Sequence, residues 1–138
     1  MRQAFHTIAI QAKGVRLYEF TAAAQDFVRG IGIQDGLLTC FIRHTSASLL
    51  IQENADPNVQ RDLIDAFDRL APQDAPYAHD DEGPDDMPSH IKSALTQVSI
   101  GVPVRQGRLA LGTWQGLYLF EHRTAPHRRE VLLHLIGE

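Results

Sequence analysis

The punctuation of this chain constrains its fold more than any single motif. Short runs of β-branched, aromatic and aliphatic residues recur between turn residues, and only two or three segments carry helical spacing. Phe5 to Gln11 and Val15 to Phe20 read as strands on either side of a Lys13-Gly14 turn. After the Gln34-Asp35-Gly36 turn, Leu37 to His44 reads as a strand with Leu38, Cys40, Ile42 and His44 on one face. Ser48 to Gln52, Val98 to Val104, Leu109 to about Tyr118 running on towards Glu121, and Glu130 to Ile136 complete the strands. Thr21 is placed to cap a helix from Ala22 to Ile31, with Ala24, Phe27, Val28 and Ile31 on one face. Asp56-Pro57 puts an acid at a helix cap and proline at its first position. Leu63, Ile64, Phe67 and Leu70 continue that helix until Ala71-Pro72 ends it, and a short third helix is expected from Pro88 to about Leu95. Many strands with hairpin-length gaps and few helices predict an α+β fold with mostly antiparallel pairing.

The length of 138 residues predicts one domain over 1–138, able to bury roughly 70% of its unfolded surface. A hydrophobic fraction of 43% excludes a disordered chain. The net charge of −4 counts against nucleic acid or an anionic membrane as partner. No apolar run is long enough to span a bilayer and the N-terminus does not read as a signal peptide, so the cytoplasm is the expected compartment. Cys40 is the only cysteine, which excludes an intrachain disulfide and a thiolate zinc site. No phosphate-binding P-loop, dinucleotide fingerprint or nucleophile elbow is present.

Seven histidines is a high count, and three of them stand at element boundaries. His44 precedes Thr45-Ser46-Ala47-Ser48, whose hydroxyls and amides suit an oxyanion. His79 lies inside an acidic connection over residues 71–87, and His90 follows Met87-Pro88-Ser89. Three imidazoles with an open fourth position make a catalytic zinc site, and neighbouring acids such as Asp81 would orient the rings. Local hydrogen bonding for each histidine and a solvated acidic loop are the competing readings. At the other end, Leu117, Leu119, Glu121 and Arg123 share a strand face. A glutamate there is costly unless paired, so Glu121 reads as a general base, a metal ligand or the partner of an arginine. Arg123, Arg128 and Arg129 offer three guanidiniums to a phosphorylated ligand, or form a solvated strand-end cluster.

Four ordered motifs give the chain a resemblance to the YjbQ family. They are His44-Thr45-Ser46-Ala47-Ser48-Leu49; Glu53-Asn54 with Asp56-Pro57; Tyr77 through Lys92; and Gly107 to Glu121 around Gly112-Thr113-Trp114-Gln115. The resemblance implies a β-sandwich flanked by helices, a homotrimer, and convergence of His44, His79 and His90 on one metal site near a subunit interface. It also implies a secondary thiamine-phosphate synthase activity, in which hydroxymethylpyrimidine diphosphate couples to thiazole phosphate and pyrophosphate leaves. In that reaction Lys92, Arg123, Arg128 and Arg129 would clamp phosphate and Thr45 and Ser46 would donate to it. Trp114 would cover a flat ring, with Gln115 beside it among the substrate-binding residues. Three imidazoles favour zinc, whereas diphosphate chemistry usually uses magnesium. The alternatives are therefore a zinc-dependent hydrolase of a phosphorylated or cyclic small molecule, with Glu121 and Asp81 moving protons, or a non-catalytic trimer that binds such a metabolite.

Overall fold

In the computed structural model, which describes residues 1–138, the chain runs β1 (Arg2–Ala12), β2 (Arg16–Glu19), α1 (Thr21–Ile31), β3 (Gly36–Ile42), β4 (Ala47–Glu53) and α2 (Pro57–Leu70). It continues through α3 (Asp86–Leu95), β5 (Ser99–Arg105), β6 (Arg108–Leu109), β7 (Gln115–Glu121) and β8 (His127–Gly137). The strands form a five-stranded sheet of order β1-β8-β3-β5-β6 and a three-stranded sheet of order β2-β7-β4, antiparallel throughout. The fold is α+β, as the strand and helix pattern predicts.

The turns fall close to their expected places, yet most of them carry the chain from one sheet to the other. The backbone does turn at Gly14, with φ of 122°, but β1 pairs with β8 and β2 pairs with β7. The single strand expected from Leu109 towards Glu121 is broken at residues 110–114, so β6 lies in one sheet and β7 in the other. The terminal strands close the structure through an eleven-residue register from Arg2↔Gly137 to Ala12↔His127.

Alternation then decides which side chains face inward. Leu38, Cys40 and Ile42 of β3, Val131, Leu133 and Leu135 of β8, and Leu49, Leu117 and Leu119 of the smaller sheet meet in one core with Ala24 and Val28 of α1. The opposite face of β7 is also covered. Tyr118 and Phe120 pack with Leu17 against Ile64 and Phe67 of α2, where Phe67 meets Phe120 edge-on at 5.3 Å. β7 is thus buried on both faces, and its last residue, Glu121, and the following His122 are 0% and 1% exposed.

Two helix starts differ from expectation. Thr21 is the first residue of α1 and does not cap it; its Oγ1 donates to Glu19 and accepts the Leu117 amide, both at 2.8 Å. α3 begins at Asp86, two residues before the expected Pro88. Pro88 is third in the helix, still within the first turn, where the missing N–H removes no intrahelical bond. By contrast, Asp56 caps α2 as predicted, accepting the Asn58 amide at 2.9 Å.

Candidate metal centre

One end of the sandwich gathers the start of α3, the connection before it, the end of β7, and the loop between β3 and β4. Because α3 starts early, Asp86 and His90 are four residues apart on one helix face. Asp86 Oδ2 lies 2.7 Å from His79 Nε2 and 3.1 Å from His90 Nε2. The ligating atoms of His79, Asp86 and His90 all lie within 4.8 Å of one another. Glu82 Oε2 approaches His79 Nε2 to 3.1 Å, and Asp81 is 3.7 Å from the other ring nitrogen.

His90 and Asp86 are held from behind. His90 Nδ1 stands 2.8 Å from the Thr45 carbonyl, an acceptor only, so Nδ1 carries the proton. Arg123 Nη1 donates to Asp86 Oδ1 at 2.7 Å, leaving Oδ2 for the two imidazoles. The same guanidinium donates through Nε to Asp85 at 3.0 Å and through Nη2 to the Glu82 carbonyl at 3.2 Å. Asp85 also accepts the amide and hydroxyl of Thr124, at 2.9 and 3.1 Å. Burial opposes charge on Asp86, but the His79 hydrogen bond and the positive charge of Arg123 help to outweigh it and hold the carboxyl below its usual range. The hydrogen bond to Asp86 pulls the His79 pKa upward, against a smaller desolvation effect.

Within one chain, Asp86 stands with His79 and His90, and His44, the third histidine of the expected set, lies outside the cluster. β3 ends at Ile42, so His44 leaves the core face and lies against β8, where its Nε2 accepts the Glu130 amide at 3.2 Å. It lines a separate hollow of about 270 Å³ with Thr7, Arg43, Glu130 and Leu132. Burial and the Arg129 charge lower the His44 pKa.

Glu121 is the buried partner of an arginine and not an accessible base. Arg129 grips it with Nε to Oε1 at 2.8 Å and Nη2 to Oε2 at 2.7 Å. Glu121 Oε2 also accepts the His122 amide at 3.0 Å. Arg129 further donates to Ser46 Oγ at 2.9 Å. The three arginines among the expected phosphate clamps are therefore all ion-paired: Arg123 to Asp85 and Asp86, Arg129 to Glu121, and Arg128 to Glu130 on the surface. Lys92 is buried against Asp68 at 2.6 Å. Thr45 reaches the site through its carbonyl and not its hydroxyl. Trp114 and Gln115 lie at the far end of β7 from Glu121, separated by about 20 Å of extended strand.

Asp86 and Glu82 were missed as site residues. The Asp86/His90 spacing of four was the available signal for the first, hidden by starting the helix at Pro88. Buried His122 is a further finding: its Nε2 meets Ser48 Oγ at 2.9 Å, and its Nδ1 has no partner. Burial, with Lys92 and Arg129 nearby, lowers its pKa to about 3, so the ring is neutral.

A small α+β sandwich carrying a cluster of two imidazoles and one carboxylate at one end is the class that fold and site define. The family model for UPF0047 protein YjbQ-like matches residues 6–138, and the chain belongs to this family. It is 51% identical over 138 residues to a UPF0047 protein of Synechocystis, covering 99% of this chain and 94% of the relative. To the UPF0047 protein YjbQ of Salmonella typhimurium it is 46% identical over 133 residues, 96% of each chain. Among solved structures, a YjbQ/UPF0047 family protein from Clostridium acetobutylicum matches with a TM-score of 0.88 at 31% identity, covering 95% of this chain and 99% of that one. A YbjQ-like protein of unknown function from Sulfolobus solfataricus shares the fold, with a TM-score of 0.92 and 22% identity over 99% of both chains. No helix is long and apolar enough to cross a membrane.

Proposed function

We propose that the protein is a zinc-dependent hydrolase of a small molecule, with His79, Asp86 and His90 as the metal ligands. One observation carries this reading. With the His90 proton committed to the Thr45 carbonyl, the ring's Nε2 lone pair faces the Asp86 carboxylate at 3.1 Å, and His79 Nε2 faces the same oxygen. Two ring nitrogens and a carboxylate oxygen converging on one point call for a cation among them, either protons on the rings or a metal ion. Two imidazoles and one carboxylate form a donor set that fits zinc better than magnesium, which prefers oxygen ligands and water. When bound, a divalent transition ion supplies Lewis acidity and brings the pKa of water down to about 7.

The chain's own groups divide the remaining work. Arg123 fixes Asp86, and the Thr45 carbonyl fixes the tautomer and tilt of His90. Glu82, whose side chain is 63% exposed, is the acid positioned to accept or return a proton beside His79, with Asp81 farther out. The His79 side chain is 41% exposed, so the cluster has an open side, as catalysis requires and a structural metal does not. Coupling of two phosphorylated substrates is the weaker reading, because the guanidiniums it needs are paired within the chain. Metal-free protein given zinc, manganese or magnesium in turn, with release of p-nitrophenol from activated esters and phosphodiesters followed, tests the proposal. Zinc-dependent turnover lost in His90→Ala is the expected result; full activity with magnesium alone would overturn it.

The homotrimer belongs to the same proposal. It is supported by the outer face of the five-stranded sheet, where Phe5, Leu37 and Phe41 are 63%, 43% and 40% exposed beside Leu132 and Ile136. A single buried, unpaired cysteine is compatible with the cytoplasm.

A further inference from the structure

The open side of the cluster leads into a cleft of about 340 Å³, and the cleft's walls define a charge preference. Pro76, Tyr77, Pro84 and Met87 supply apolar surface, and Asp80 and His79 supply the polar edge. The Tyr77 hydroxyl donates to the Pro72 carbonyl at 2.6 Å, which fixes the ring as a rigid wall. No lysine or arginine lines the cleft. The nearby guanidinium, Arg123, spends all three of its nitrogens on Asp85, Asp86 and the Glu82 carbonyl. The exposed carboxylate of Asp80 therefore lines the cleft with no basic side chain in the wall to balance it, and the exposed Asp81 and Glu82 stand beside His79, the wall's other polar residue.

We propose that this cleft takes a small organic cation, an ammonium group on an apolar body, and disfavours phosphate. The proposal rests on the metal reading only for the identity of the cluster at the cleft's end. An aromatic face with a carboxylate beside it attracts an ammonium group through the ring quadrupole and through charge, while Pro76 and Met87 cover the apolar body. A phosphate dianion would meet the like charge of Asp80 in the wall, with Asp81 and Glu82 beside His79, and find no guanidinium to grip. The ligand class is thus the reverse of the phosphorylated metabolite expected from the arginine-rich tail.

Benzyltrimethylammonium, benzyl alcohol and benzyl phosphate, titrated into the metal-free protein, where no bound cation can ligate the phosphate or repel the ammonium, with Tyr77 and Met87 amide shifts followed by NMR, test this. Benzyltrimethylammonium is a permanent cation. It is expected to bind about tenfold more tightly than the alcohol at low salt, with the gap closing at high salt and in Asp80→Asn. Benzyl phosphate is expected to bind weakest, and Tyr77→Leu to weaken the ammonium ligand. Equal binding of ammonium and alcohol, or tightest binding of the phosphate, would overturn the proposal, while zinc uptake, measured separately, leaves the metal reading standing. If the protein takes up no zinc, the metal reading fails, and the titration of metal-free protein still decides the cleft.

Discussion

Replacing Arg129 with methionine isolates the buried ion pair at the end of β7. Glu121 is 0% exposed and holds two Arg129 nitrogens at 2.7 and 2.8 Å. The variant leaves the carboxylate with backbone partners only, the His122 amide at 3.0 Å and the Arg123 amide at 3.5 Å. Removing one partner of a buried pair costs about 3–5 kcal/mol, because the charge left behind has lost both its counterion and its solvent. For a chain of this length, each kcal/mol moves the melting temperature by about 3–5 °C, so Arg129→Met is expected to melt about 10–20 °C below the parent. Replacing both residues, Arg129→Met with Glu121→Met, removes the charge as well as its partner and is expected to recover most of that loss. Urea denaturation and calorimetry of the parent and the two variants provide the numbers. A single variant within about 1 kcal/mol of the parent, or a double variant no better than the single, would refute the argument.

Other consequences follow from the same geometry. Burial pushes the Cys40 thiol up to about 12, so a thiol-reactive dye is expected to label native protein negligibly at pH 8 and to react once urea unfolds it. Without metal, the raised His79 pKa contributes stability that is fully present below about pH 6.5 and is lost as pH rises through the higher folded value; chemical denaturation across pH 5–8 checks the sign. Zinc competes with those same protons, so its affinity is expected to fall steeply as pH drops below 7, measured against a competing chelator. Gly36→Ala would drive a methyl into the Ile136 carbonyl across the β3–β8 ladder, and about 1–3 kcal/mol of destabilisation in urea is expected.

The parts of the fold legible in the sequence are those governed by local chemistry. The Asp56-Pro57 start of α2, the apolar face of α1 and the alternation in β3 and β8 each depend on neighbours along the chain. Strand partnership does not. Lys13-Gly14 turns the chain as expected, but nothing in those residues says that β1 will pair with the far terminus and β2 with β7. The site divides in the same way. His79 and His90 stood out by their positions at element boundaries, whereas Asp86 entered only once the helix was found to start two residues earlier. His44 lies off the core face because β3 stops at Ile42 and the chain has already turned towards β8, where the ring forms the wall of a hollow. The arginines were correctly noticed as a group, but their partners, Asp85, Asp86 and Glu121, are long-range neighbours that spacing cannot reveal.

The central claim is the ligand set, and a zinc-loaded crystal examined at the zinc absorption edge tests it most directly. The account predicts an anomalous peak about 2.0–2.2 Å from His79 Nε2, His90 Nε2 and an oxygen of Asp86, with one coordination position facing the cleft. A peak on His44, or no ordered zinc at the start of α3, would contradict it.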